Sequence, residues 1–242
     1  MKKTWFISDL HLDPSRPQLF TVLLDFLDHI EPQADALYIL GDLFEFWVGD
    51  DLIQSPLGAV YLPILQRLKS LSNQGIALYF IQGNRDFLVR ETFVQYIGAK
   101  LLPDTQVINL YGKPTLILHG DTLCTDDKGY QRMRALFRMK LIQKIYLSLN
   151  LENRTKRAQS VRHATKKQTQ EKHSSILDVN QQAVKQLMQE NSVTQMIHGH
   201  THRPAIHKLT INGEKATRFV LSDWHDKASF IEASEEGVRL EI

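Results

Sequence analysis

Five apolar runs in this chain each lead into a small group of aspartate, asparagine or histidine, and that repeated arrangement limits the fold more than any other feature. Trp5-Phe6-Ile7 leads into Asp9-Leu10-His11, and Ala36-Leu37-Tyr38-Ile39-Leu40 leads into Gly41-Asp42. The run from Ile76 to Ile81 precedes Gly83-Asn84-Arg85-Asp86, and the run from Thr115 ends in His119-Gly120-Asp121. Met196-Ile197 passes directly into His198-Gly199-His200-Thr201-His202. Strand ends are where open α/β sheets assemble ligand sites. The Asp-x-His and His-x-His spacings put two donors on the same side of an extended segment. Carboxylate, imidazole and amide donors without thiolates suit Mn2+, Fe or Zn2+ and disfavour a structural zinc site. Asp9, His11, Asp42, Asn84, His119, His198 and His200 are more donors than one ion needs, and suit two ions sharing a carboxylate. Each fragment alone has a plainer reading, since a lone Gly-Asp is usually a turn. Five in series do not.

Around these clusters the first hundred residues alternate strand-like runs with helical spacing at Leu19 to Ile30 and at Leu62 to Leu71. This βαβαβ rhythm predicts strands covered by helices. After Leu101 shorter runs follow at 107–111, 115–119, 196–198, 205–211, 217–221, 229–233 and 238–242, so the whole reads as mixed sheets packed together with helices outside. A chain of 242 residues with 43% hydrophobic content suffices for one well-buried domain with a substantial insertion.

Charge marks that insertion. Residues 128–172 carry thirteen Lys and Arg against Glu152 and Glu171, although the whole chain is only +2, so the remainder is net acidic. Within it, Gln131 to Leu151 is expected to form one amphipathic helix, with Met133, Phe137, Leu141, Ile145 and Leu149 along a face. A polar helix is expected from Lys156, and an ordinary amphipathic helix from Asp178 to Met188. Apolar residues interleaved with Lys and Arg are the pattern of a helix on an anionic membrane surface; a packed helix with a solvated basic face is the plainer alternative. Few aromatics accompany the charge, which argues against nucleic acid. Cys124 is the single cysteine, so a disulfide framework is excluded and a reduced compartment expected. The N-terminal apolar run is too brief for a signal peptide. No stretch approaches the roughly 20 apolar residues of a membrane span. The expectation is a protein kept inside the cell.

Asp-x-His, Gly-Asp, Gly-Asn-x-Asp, His and Gly-His-x-His, in this order, resemble the signature of the calcineurin-like metallophosphoesterases. The resemblance implies an α/β fold, a four-layer αββα sandwich, with residues 1–127 and 173–242 as its core and 128–172 as a helical lid insertion. It implies one metal on Asp9, His11, Asp42 and His200 and another on Asp42, Asn84, His119 and His198, two Mn2+ per chain with Asp42 bridging. Over nearly the whole chain, Gly41 to Glu45, Gly83 to Leu88, His119 to Asp127 and His198 to Pro204 are similar to the UDP-2,3-diacylglucosamine diphosphatase family. That closer resemblance implies hydrolysis of a UDP-linked diacylated glucosamine lipid to UMP and 2,3-diacylglucosamine 1-phosphate in lipid A biosynthesis, by metal-activated water attacking the α-phosphorus. It also implies a monomer, peripheral on the cytoplasmic face of the inner membrane.

By the same resemblance Asn84 and Arg85 are catalytic, and Asn84, Arg85, Asp127, Thr165, Thr169, Lys172 and His198 contact substrate. Thr165 and Thr169 stand where the family has serine and asparagine; they keep a polar group and change its identity. Arg85 holds its proton and cannot act as a general acid. It can grip phosphate oxygens bidentately, which fits a sugar phosphate leaving group better than an alkoxide. An ion pair with Asp86 is its plainer reading. Asp86, Asp121 and Asp127 are candidates for orienting ligands; His202, His207 and His225 are open, and Cys124 reads as a packed small residue. Two rivals are a phosphoesterase for soluble nucleotides and a non-catalytic binder on a hydrolase scaffold. Arg85 and the apolar lid oppose the first, and the intact donor set opposes the second.

Overall fold

The apolar runs become strands of two sheets that share a core. The computed structural model describes residues 2–170 and 178–242, without the side chains of 163–170. In chain order the first half contains β1 (Lys3–Ile7), α1 (Gln18–Ile30), β2 (Ala34–Ile39), α2 (Leu62–Asn73), β3 (Ala77–Phe80), α3 (Glu91–Ile97), β4 (Ala99–Leu101), β5 (Thr105–Leu110) and β6 (Lys113–Leu118). There follow α4 (Lys128–Phe137), α5 (Lys140–Leu147), α6 (Leu151–Gln170), α7 (Gln181–Glu190), β7 (Gln195–His198), β8 (Ala205–Ile211), β9 (Glu214–Val220), β10 (Phe230–Ser234) and β11 (Gly237–Glu241).

One sheet has the order β11-β10-β1-β2-β3-β4 and the other β5-β6-β7-β9-β8. Phe6, Leu40 and Ile81 from the first meet Ile117, Ile197 and Phe219 from the second in a shared apolar layer. The outer face of the first sheet packs on α1, α2 and α3 through Leu23, Leu65 and Phe93. The outer face of the second packs on α7 through Val184 and Met188. This is the four-layer αββα sandwich, and it explains why the central strands are apolar on both faces. β1, β2 and β3 run parallel, as do β6 and β7, so the carboxyl ends within each set lie at one edge. The polar clusters sit there.

Two expectations need correction. The helix expected over Gln131 to Leu151 is interrupted, α4 ending at Phe137 and α5 beginning at Lys140 after an extended Met139 (φ −66°, ψ 123°). Neither helix buries a residue, so no packed face enforces continuity. The break lets Arg138 turn inward, donating to Gln82 Oε1 at 2.6 Å and Gly83 O at 3.0 Å. The following helix starts at Leu151 rather than Lys156. The three-residue edge strand β4 was not anticipated, its Ala-Lys-Leu being too short to show a pattern.

The basic residues of 128–172 also divide. Arg154, only 2% exposed, donates to Val48 O at 2.6 Å and Leu149 O at 3.0 Å, and meets the Asp51 carboxylate. It is a dock and not a solvated charge. Arg154→Leu would leave two buried carbonyls unbonded, so a loss of about 2 kcal/mol is expected, read from the urea midpoint. An unchanged midpoint would show that water replaces these bonds freely.

Candidate metal centre

Asp9, His11, Asp42, His200 and His202 all take left-handed backbone, with φ of 57°, 51°, 53°, 71° and 53°. A residue with a side chain there costs about 1 kcal/mol or more and persists only where surroundings enforce it. Here the enforcement is main-chain: Asp9 N donates to Gly41 O at 3.2 Å and His11 N to Asp42 O at 3.0 Å. Two glycines make room. A Cβ on Gly83 would stand 2.1 Å from Asp42 Oδ1, and one on Gly199 would stand 2.2 Å from Asp9 Oδ2.

Asp42 is buried between the clusters. Its Oδ1 accepts from Arg85 N at 2.8 Å, and its Oδ2 lies 3.7 Å from His119 Nε2 and 3.9 Å from His11 Nε2. Asp9 Oδ2 accepts from Ser8 Oγ at 2.6 Å and from His200 N at 2.8 Å. Asn84 Oδ1 lies between His119 Nε2 (3.0 Å) and His200 Nδ1 (2.9 Å). His202 also joins: its Nε2 is 3.3 Å from both Asp9 Oδ1 and His11 Nε2, and Asp223 holds its Nδ1. Donor atoms of Asp9, His11 and His202 lie within 4.8 Å of one another, as do those of Asp9, Asp42 and His119. His198 is oriented differently, its Nδ1 at 2.8 Å from Gly199 O and its Nε2 at 3.0 Å from Arg218 Nη1.

Burial pushes Asp42 up to about 7 against the pull of His119. Burial would raise Asp9 too, but the rings of His202, His119 and His11 together hold it well below the usual carboxylate range. Burial lowers His198 to about 3 and His200 to about 4, keeping both rings neutral. His202 goes the other way: Asp223 and Asp9 outweigh burial and lift it to about 10. Asp9 Oδ1 is wholly buried without a hydrogen bond, and so is His11 Nδ1. A buried carboxylate oxygen left without a hydrogen bond, as Asp9 Oδ1 is, calls for a cation. The donor set fits a divalent metal, which displaces protons when it binds. Since Asp42 is protonated below about 7, its proton competes with metal there. Apparent affinity is therefore expected to fall about tenfold per pH unit below that point from Asp42 alone. Calorimetry in two buffers of different ionisation enthalpy would show the released proton; a flat pH dependence would contradict this.

A family model for calcineurin-like phosphoesterases matches residues 2–204. The chain belongs to that family. Among curated relatives, a protein named UDP-2,3-diacylglucosamine hydrolase from Serratia proteamaculans (strain 568) is 48% identical over 98% of this chain and 97% of its own. Proteins of the same name from Actinobacillus succinogenes (strain ATCC 55618 / DSM 22257 / CCUG 43843 / 130Z) and Haemophilus influenzae (strain PittGG) are 45% and 46% identical, over 99% and 98% of this chain and 99% and 97% of theirs. Among solved structures, an archaeal phosphodiesterase matches 99% of this chain and 98% of its own at 11% identity, with a TM-score of 0.46.

As a calcineurin-like phosphoesterase the chain is a metal-dependent hydrolase, and the residues around the cluster serve that end. Asp86 spends its carboxylate on Gly83 N and Leu43 N, both at 2.8 Å, and so shapes the loop carrying Asn84. It does not pair with Arg85, whose guanidinium makes no ion pair among the described residues and whose Nε is buried without a hydrogen bond. Asp121 accepts from Tyr130 OH at 2.8 Å and Arg134 Nε at 2.6 Å, tying α4 to the His119 loop. Asp127 caps α4 through Tyr130 N at 3.0 Å. Thr165 and Thr169 fall on α6 where side chains are not described, and Lys172 lies outside the described residues. Glu45 was missed as a functional candidate: it faces His11 Nδ1 at 3.4 Å and pairs with Arg162 of α6. Its position three residues after Asp42 was the available signal.

Proposed function

We propose that this phosphoesterase hydrolyses the pyrophosphate bond of UDP-2,3-diacylglucosamine, releasing UMP and 2,3-diacylglucosamine 1-phosphate. The observation that carries the reading is Arg85, a cation without a carboxylate partner among the described residues, whose amide bonds the buried Asp42. Relatives 44–48% identical over nearly the whole chain bear that substrate in their name, which supports the choice. We assign two Mn2+, one to Asp9, His11, Asp42 and His200 and the other to Asp42, Asn84, His119 and His198. When bound, such a pair activates a water molecule and neutralises phosphoryl oxygens.

The chain supplies the rest. Arg85 donates to the non-bridging oxygens and stabilises charge as it develops, giving up no proton because a sugar phosphate leaves as an anion. Asn84 Oδ1 lies between His119 Nε2 and His200 Nδ1, where it would be available to a bound ion. Asp127, Thr165, Thr169, Lys172 and His198 are assigned to substrate contact. The acyl chains and the surface of the inner membrane, on its cytoplasmic face, fall to the insertion, whose Leu141 is 63% and Ile145 57% exposed. No helix among the described residues is long and apolar enough to cross a membrane, and the attachment proposed is peripheral, by a monomer.

The purified protein with Mn2+ should release UMP from UDP-2,3-diacylglucosamine. Diadenosine tetraphosphate and bis-p-nitrophenyl phosphate are assayed in parallel. Turnover of the soluble compounds alone would discard the lipid substrate while retaining the hydrolase.

A further inference from the structure

A cavity of about 230 Å³ opens between the segment after His200, the start of β8 and Asp178. Arg218 of β9, only 2% exposed, lines it. Arg218 Nη1 lies 3.0 Å from His198 Nε2, Nε has no hydrogen bond, and no described carboxylate is within ion-pair reach. A buried guanidinium with five donors in a rigid fork needs acceptors. Across the β8–β9 ladder His207 stands opposite Arg218. Elsewhere in the lining Arg203 Nη1 donates to Asp178 Oδ2 at 2.8 Å, while Asp178 Oδ1 accepts from Val179 N at 2.7 Å. Thr201 adds a hydroxyl and Pro204 an apolar face.

A buried donor, an acceptor, a hydroxyl able to do either and an apolar wall do not suit phosphate, which would meet the Asp178 carboxylate. They suit the edge of a planar imide, where one N–H sits between two carbonyls. We infer that this cavity holds the uracil ring of a uridine nucleotide. Arg218 donates to one carbonyl, Asp178 accepts the imide N–H, Thr201 donates to the other carbonyl, and Pro204 covers a ring face. The assignment rests on the proposed function, since it seats the nucleotide half of that substrate. Arg218 bonds His198 and Thr201 directly follows His200, so the cavity adjoins the chain segment that carries these histidines, and a phosphate attached through ribose would be directed at the cluster.

Binding is measured by calorimetry on the Mn2+-loaded protein with UMP, CMP and inorganic phosphate. UMP should bind about tenfold more tightly than CMP, because cytosine presents an acceptor where uracil has its N–H. Asp178→Asn, nearly isosteric and at a half-buried position, should abolish or reverse that preference while phosphate affinity stays the same. Arg218→Lys should weaken UMP about tenfold, its single point charge replacing a fork. Equal binding of UMP and CMP by the wild-type protein, or an unchanged preference in Asp178→Asn, would overturn the assignment. Since no turnover is read, a protein that selects UMP yet leaves the lipid intact refutes the proposed substrate alone. One that cleaves the lipid without preferring UMP over CMP refutes the uracil site alone.

Discussion

Asp42→Ala is expected to lower metal-dependent phosphodiester hydrolysis by about 10³-fold or more. In the proposed two-ion centre Asp42 would serve both ions, His11 and His119 being 3.9 and 3.7 Å from its Oδ2, while Oδ1 accepts from the Arg85 amide. Metal-derived stabilisation is worth several kcal/mol, and each 1.4 kcal/mol is about tenfold in rate. The same substitution is expected to spare the metal-free fold. Asp42 has a folded-state pKa of about 7, above its ordinary value of 3.8. A group raised in this way contributes stability below its unfolded pKa and loses it as pH rises through the folded one. Above pH 7 the metal-free protein therefore carries a buried charge whose desolvation outweighs the pull of His119, and alanine removes it. Thermal melts in chelator at pH 8 should show the variant at least as stable as the wild type, alongside bis-p-nitrophenyl phosphate kinetics. Metal-dependent turnover surviving in Asp42→Ala would refute the assignment of the centre.

Arg85→Ala is expected to lower kcat by about 10²–10³-fold, the usual result of removing one donor aimed at developing charge. Arg85→Lys should recover little, because one ammonium cannot reproduce two parallel donors. The shape of the pH profile should not change in either variant, since a guanidinium takes no part in proton transfer. Loss of a single limb from a bell-shaped profile would mean that Arg85 governs a proton after all. An effect confined to KM would reduce it to ground-state binding.

The main features of the site were legible because chemistry and topology coincide. Asp9, Asp42, Asn84 and His119 each follow an apolar run, and parallel neighbours bring the ends of such runs to one edge. The contacts of His198 were not legible, since its Arg218 partner comes from β9, set beside β7 only by the sheet order. His202 stayed open for a similar reason, its link to Asp9 depending on a left-handed turn that no spacing announces. The break after Phe137 escaped because helical periodicity runs on through it, and the inward bonds of Arg138 to Gln82 and Gly83 decide the matter. Arg134 and Arg154 entered the sequence reading only within the positive balance of residues 128–172, because composition records sign and not direction. Both turn to carboxylates earlier in the chain, the buried Asp121 and the exposed Asp51.

The left-handed backbone at Asp9, His11, Asp42, His200 and His202 restricts how this protein can adapt to heat. Glycine at any of these places would ease the turn and delete the group the turn exists to hold. A lineage moving to a hotter habitat cannot gain tolerance there without surrendering its chemistry. Such gains must come from peripheral helices and loops, and the five turns should stay fixed while the surface around them drifts.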